Sequence, residues 1–134
     1  MDKFSEISFL VGVTGHRDLV MDNEAALSKQ IDTFLTELQA ALGRFPVTIA
    51  CGMADGGDRL VAHRALKMGI AVQAVLPMPK RYYLSDFSTD SAEELESLLA
   101  HENVSLHEIP LPAEASSVAI SEPGAARDSL YGRL

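Results

Sequence analysis

The chain has 134 residues, with 11 lysines and arginines against 19 aspartates and glutamates, a net charge of −8. That length suits a single domain. With 47% hydrophobic and 22% charged residues, it can enclose a sizeable core, which excludes a disordered or collagen-like polymer. The acidic balance disfavours binding to nucleic-acid backbones, although a local basic pocket could still hold one small anion.

Cys51 is the only cysteine, so no intrachain disulfide can form and a cysteine-rich secreted scaffold is excluded. The N-terminal residues lack a basic stretch followed by a long apolar run, and no segment approaches the roughly 18 to 20 apolar residues of a membrane span. A cytoplasmic protein with no membrane partner is the expectation. No internal repeat or low-complexity block divides the chain.

In chain order, Ile7 to Thr14 is a short apolar run rich in β-formers and closed by Gly15. It predicts a strand buried on both faces. From Glu24 to Leu42, Leu27, Ile31, Phe34, Leu35, Leu38 and Leu42 recur at three- and four-residue steps, the pattern of an amphipathic helix. Asp22 or Asn23 is placed to cap it, and Gly43 to stop it. Val47 to Cys51 predicts a second buried strand, followed by a glycine loop and a helix carrying Leu60, Val61, Ala65 and Leu66. Gly69 ends that helix, and Ile70 to Leu76 predicts a third strand, closed by Pro77 and Pro79.

Two consecutive βαβ units imply a parallel sheet, because parallel neighbours need a crossover and the crossover is right-handed in nearly all cases. The fold class is α/β, a three-layer Rossmann-like domain with a parallel sheet and helices on both faces. Lys80 to Phe87 reads as a polar, aromatic loop. Ser91-Ala-Glu-Glu94 matches a capping box before a third helix carrying Leu95, Leu98 and Leu99. Val104 to Ile109 predicts a fourth strand, Pro112 to Gly124 a long loop, and Ala125 to Leu134 the start of a further helix. So small a sheet makes a domain incomplete at its C-terminus the expectation.

In open parallel sheets ligands bind beyond the C-terminal ends of the strands, at the point where the winding reverses. Three loops fit. In Gly52-Met53-Ala54-Asp55-Gly56-Gly57-Asp58-Arg59 the glycines let backbone N–H groups approach a ligand, and the following helix starts with unpaired donors and a partial positive charge. The spacing is neither a Walker A motif nor the dinucleotide fingerprint. The alternative is a tight turn capped by Asp58. Asp55 and Asp58 oppose an unshielded phosphate, and either could accept hydrogen bonds from a ribose.

Thr14-Gly15-His16-Arg17-Asp18 follows the first strand. Arg17 offers a planar fork for phosphate or carboxylate, Thr14 a hydroxyl, and His16 a group titrating near neutrality. An Arg17–Asp18 surface ion pair is the structural alternative. The third loop brings Arg81, Tyr82, Tyr83, Asp86 and Phe87, a set able to stack on a base, or else a hinge whose tyrosine covers the sheet end. Cys51 reads as a buried thiol with no assignable base. The histidines and acids lack metal-site spacing, so neither metal nor cofactor is implied.

Cys51 to Leu66, with Gly69-Ile70 and Val75-Leu76-Pro77, resembles the Rossmann-like SLOG superfamily, which unites the DNA-processing protein A proteins with the Lonely Guy type phosphoribohydrolases. The segment is similar to Ser-Gly-x-Ala-x-Gly-x-Asp-x-x-Ala-His-x-x-Ala-Leu at Gly52, Ala54, Gly56, Ala62, His63, Ala65 and Leu66. Gly57 occupies the spacer position and Asp58 aligns with the family aspartate. Val13 to Arg17 looks like the first-strand motif of uncharacterised bacterial members. The resemblance covers about residues 7 to 87 and implies a nucleotide-related small-molecule ligand held by the Thr14–Asp18 and Gly52–Arg59 loops. The Pro-Gly-Gly-x-Gly-Thr-x-x-Glu motif of the phosphoribohydrolase branch does not occur in these residues, and the net charge opposes the basic groove that single-stranded DNA needs.

The expectation is therefore a nucleotide-binding domain, with Arg17 clamping the anionic group. The rivals are hydrolysis of a nucleoside monophosphate at its N-glycosidic bond, with Asp55, Asp58 or Asp86 as the carboxylate, and a scaffold or homo-oligomeric module with a vestigial crevice.

Overall fold

The structure, a computed structural model, describes residues 8–15, 23–112 and 130–131. Four strands, β1 (Phe9–Val13), β2 (Val47–Cys51), β3 (Ala71–Leu76) and β4 (Val104–Glu108), form one sheet in the order β1-β2-β3-β4. All three pairings are parallel. The helices are α1 (Glu24–Leu42), α2 (Gly57–Lys67), α3 (Lys80–Tyr83) and α4 (Thr89–Leu99), with a 3-10 turn at Leu84–Asp86. The fold is α/β and consistent with the Rossmann-like three-layer type. Among the described residues no helix is long and apolar enough to cross a membrane.

Side chains alternate between the two faces of a strand, and the register aligns Val11, Ile49 and Val72 on one face. That face carries the core: Ile49, Cys51, Val72, Ala74 and Leu76 pack with Leu35 of α1, Ala62 and Ala65 of α2, and Leu95 and Leu98 of α4. A sheet whose spatial order equals its chain order, joined by right-handed crossovers, sends every crossover to the same side. Accordingly α2 lies between α1, which it meets through Arg64 and Asp32, and α4, which it meets through Arg59 and Ser91. The opposite face, with Leu10, Gly12, Ala50, Gln73 and Val75, has none of its described residues fully buried. Among the described strands the winding does not reverse, so the crevice expected at a reversal has another origin here.

Several local expectations shift. β1 is not buried on both faces: it is the edge strand of the described sheet, leaving Phe9 44% and Leu10 62% exposed. Asn23 precedes α1 without a side-chain cap, whereas Gly43 does stop it, at φ 59°. Lys80 to Asp86 is not a loop but a helical turn continued as 3-10 helix. The capping residue of α4 is Ser88, whose hydroxyl accepts the Ser91 amide at 3.2 Å. Ser91 is freed for other contacts. The expected loop from Pro112 to Gly124 lies outside the described residues apart from Pro112, and of the expected helix from Ala125 only Leu130 and Tyr131 are described.

Between α1 and α2, Arg64 grips Asp32 with both arms, Nε donating to Oδ1 at 2.7 Å and Nη2 to Oδ2 at 2.5 Å. Hydrogen bonding to Arg64, assisted by its charge and that of Lys67, holds the Asp32 carboxyl below its ordinary value of 3.8. Because the folded-state value is depressed, this pair stabilises the fold above the ordinary carboxylate range and ceases to do so as pH falls through it toward the lowered value. Urea unfolding at a series of pH values should show wild type losing stability over that window faster than Asp32→Asn. Parallel curves would mean the pair contributes nothing to folding.

Candidate functional site

Parallel register places the exits of β1 and β2 side by side, Val13 beside Cys51, and the two following turns touch. A Cβ added to Gly15 would sit 3.1 Å from the Gly57 Cα. That is tighter than ordinary contact, so a side chain there would force the Gly57 backbone to give by a few tenths of an ångström. Beside the contact lies a cavity of about 390 Å³ lined by Gly12, Val13, Thr14, Ala50, Cys51, Gly52, Asp58 and Val75. Gly12 and Ala50 are register partners on the face away from the long helices, and Val75 follows the same alternation. Two small residues beside each other make the hollow: the position of a Cβ on Gly12 is open space.

The β2–α2 loop is held in shape from behind. Met53 is fully buried and adopts a left-handed φ of 57°, a conformation uncommon for a residue with a side chain. Its carbonyl accepts from Arg59 Nε at 2.9 Å. The same guanidinium, through Nη1, donates to the Ser91 carbonyl at 2.7 Å and hydroxyl at 2.8 Å, and pairs with Asp55 at 3.2 Å. Ser91 in turn donates to Asp55. The face of the Phe87 ring lies 4.6 Å from the guanidinium carbon, a cation–π distance. Gly56, at φ 82°, precedes α2 as its cap. Asp58 is thus inside the first turn rather than before it, and its carboxylate accepts the Ala54 amide at 3.4 Å.

The expected site residues therefore divide. Thr14, Gly52 and Asp58 line the cavity, and Gly15 meets Gly57 beside it. Arg59, 3% exposed, is engaged with Asp55, Ser91 and Met53, so it braces the loop. Tyr83, 1% exposed, donates its hydroxyl to the Gly52 carbonyl at 2.7 Å, which makes it a cover for the strand end rather than a stacking surface. Asp86 does not line the cavity. His16, Arg17 and Asp18 lie outside the described residues.

Chemically, the described lining offers the Thr14 hydroxyl, the Asp58 carboxylate and backbone groups on an apolar floor, with no basic side chain among them, while the Cys51 side chain belongs to the core. Burial, reinforced by the Asp58 charge, pushes the Cys51 thiol up to about 11, so it is protonated at neutral pH and a poor nucleophile. Sequence reasoning passed over Gly12, Ala50 and Val75, and the brace through Ser91. Small residues at matching positions of adjacent strands were the available signal for the floor; the brace had none. No protein-family model, curated protein or solved structure matches the chain.

Two outcomes test this geometry. Gly15→Ala should destabilise by about 1–3 kcal/mol, the usual cost of overpacking, and Gly12→Ala by under about 0.5 kcal/mol, as expected away from packed features; denaturant unfolding separates them. Cys51 should react with a thiol reagent at pH 8 only as fast as the domain unfolds, and prompt labelling of the native protein would contradict its burial.

Proposed function

We propose that this domain binds a nucleotide or nucleotide-derived small molecule in the cavity between the exits of β1 and β2. The observation that carries the reading is the Gly15–Gly57 contact, which joins the two expected ligand loops beside a hollow of about 390 Å³. That volume falls within the range of small-molecule sites, which are mostly apolar with a few placed polar groups. The resemblance of residues 51–66 to the SLOG superfamily supports the same ligand class.

Asp58 decides the orientation. A carboxylate only 7% exposed repels a phosphate placed against it and accepts hydrogen bonds from hydroxyl groups. The sugar belongs beside Asp58 and Thr14, the base over the apolar floor of Gly12, Ala50 and Val75, and the anionic group away from Asp58, with Arg17, outside the described residues, as the proposed clamp. Hydrolysis of the N-glycosidic bond is the second reading, favoured by Asp58 alone of the three candidate aspartates, since Asp55 is committed to Arg59 and Ser91.

A ligand at 100 times its dissociation constant adds about 2.7 kcal/mol, an upward shift of roughly 10 °C for a domain of this size. Thermal-shift titration with nucleosides and nucleoside mono- and diphosphates should find such a rise, and Gly12→Val, which fills the floor, should abolish it while the protein stays folded. If no nucleoside or nucleotide moves the transition, the reading is wrong. Release of free base from a nucleoside monophosphate, lost in Asp58→Asn, would select hydrolysis over binding alone.

A further inference from the structure

The two edges of the sheet are built differently. β4 exposes Leu106, at 42%, but flanks it with exposed Ser105, His107 and Glu108, the polar and charged groups that guard a free strand edge. β1, Phe-Leu-Val-Gly-Val, carries none. Among the described residues it pairs only with β2, yet Phe9 and Leu10 are 44% and 62% exposed on its opposite faces. The apolar surface continues onto α1, where Phe34 is 54% exposed. Between β1 and α1 lies a groove of about 250 Å³ lined by Val11, Val13, Leu27, Ile31 and Phe34, among others.

We propose that β1 is the interface of a two-fold dimer, in which the β1 strands of two copies pair antiparallel about Val11. The backbone allows it: Phe9 N donates to Pro46 O on the β2 side at 2.8 Å, so by alternation the amides and carbonyls of Leu10 and Gly12 face outward. A dyad through Val11 sets Leu10 of each copy opposite Gly12 of the other, a hydrogen-bonded antiparallel pair on either side of the centre. The side chains are self-complementary, because an exposed leucine then covers a residue with open space where its Cβ would be.

Beside the strands, the two α1 helices bring their Phe34 residues and apolar grooves together. A strand edge and a helix of these lengths bury on the order of 900 Å² in total, below the roughly 1,000 Å² of a stable specific interface and in the range of weak, transient ones. The dimer is therefore weak and concentration-dependent. With −8 on each copy, added salt tightens it by screening. Assembly stops at two, since the guarded β4 edges are what remains outside.

Sedimentation velocity from low-micromolar to near-millimolar protein should show a monomer–dimer equilibrium, strengthened by salt. Leu10→Lys, at an exposed position that leaves the core intact, should weaken it at least tenfold with an unchanged far-UV spectrum. A monomer throughout, a dimer indifferent to Leu10→Lys, or assembly beyond two would each overturn the proposal. So would hydrogen-exchange protection of the Leu10 and Gly12 amides at concentrations where the protein is monomeric, which would show another segment of the chain on this edge. None of these readouts depends on a nucleotide.

Discussion

The geometry of the glycine loop depends on one buried guanidinium. Arg59 leaves α2, turns back beneath the loop and ties the Met53 carbonyl, Asp55 and the first turn of α4 into one unit. Taking an arginine out of water costs several kcal/mol unless its donors and charge are matched. Asp55 supplies the opposite charge, and Glu94 lies 3.5 Å away at the rim. The arrangement holds Met53 in its left-handed conformation, and from there Gly56 and Gly57 are delivered to Gly15.

The consequence is a division of labour within eight residues. The back of the loop is braced by charged groups, while its front shows backbone, Thr14 and one carboxylate to the cavity. Tyr83 completes the brace by donating to the Gly52 carbonyl, and its ring packs edge-on against Phe87, 5.0 Å between centroids. Phe87 lies against Arg59 in turn. The segment after β3 therefore supports the loop from behind instead of closing over its front, and among the described residues the cavity opens toward the face that the long helices leave uncovered.

Much of the fold was legible from periodicity alone. The α1 pattern of Leu27, Ile31, Leu35 and Leu38 marks its buried side, and the expected bounds Glu24 and Leu42 agree with those observed. β2 and β3 were legible because each is short, apolar and bounded by glycine or proline. α4 starts earlier than its pattern suggests, since Ser91-Ala-Glu-Glu94 imitates a capping box while Ser88 makes the bond. A box pattern specifies residue types, and only backbone geometry says which serine stands before the first turn. β1 departs from its expected burial for a related reason: an apolar run reports a preference for burial, and the number of neighbours a strand receives is decided by the whole sheet.

The candidate site divides along the same line. Composition and spacing by themselves determined that the chain folds as α/β, where its glycine turns fall, and that Cys51 lies at a strand end, because these follow from local conformational preference and side-chain period. Tertiary structure alone decided that Arg59 points inward, that Tyr83 is covered, that Gly12 and Ala50 form a floor, and that β1 stands at the edge of the described sheet. Those outcomes depend on which strands become neighbours and which buried charges find partners. Such pairings join residues tens of positions apart and leave no mark on the sequence near either one.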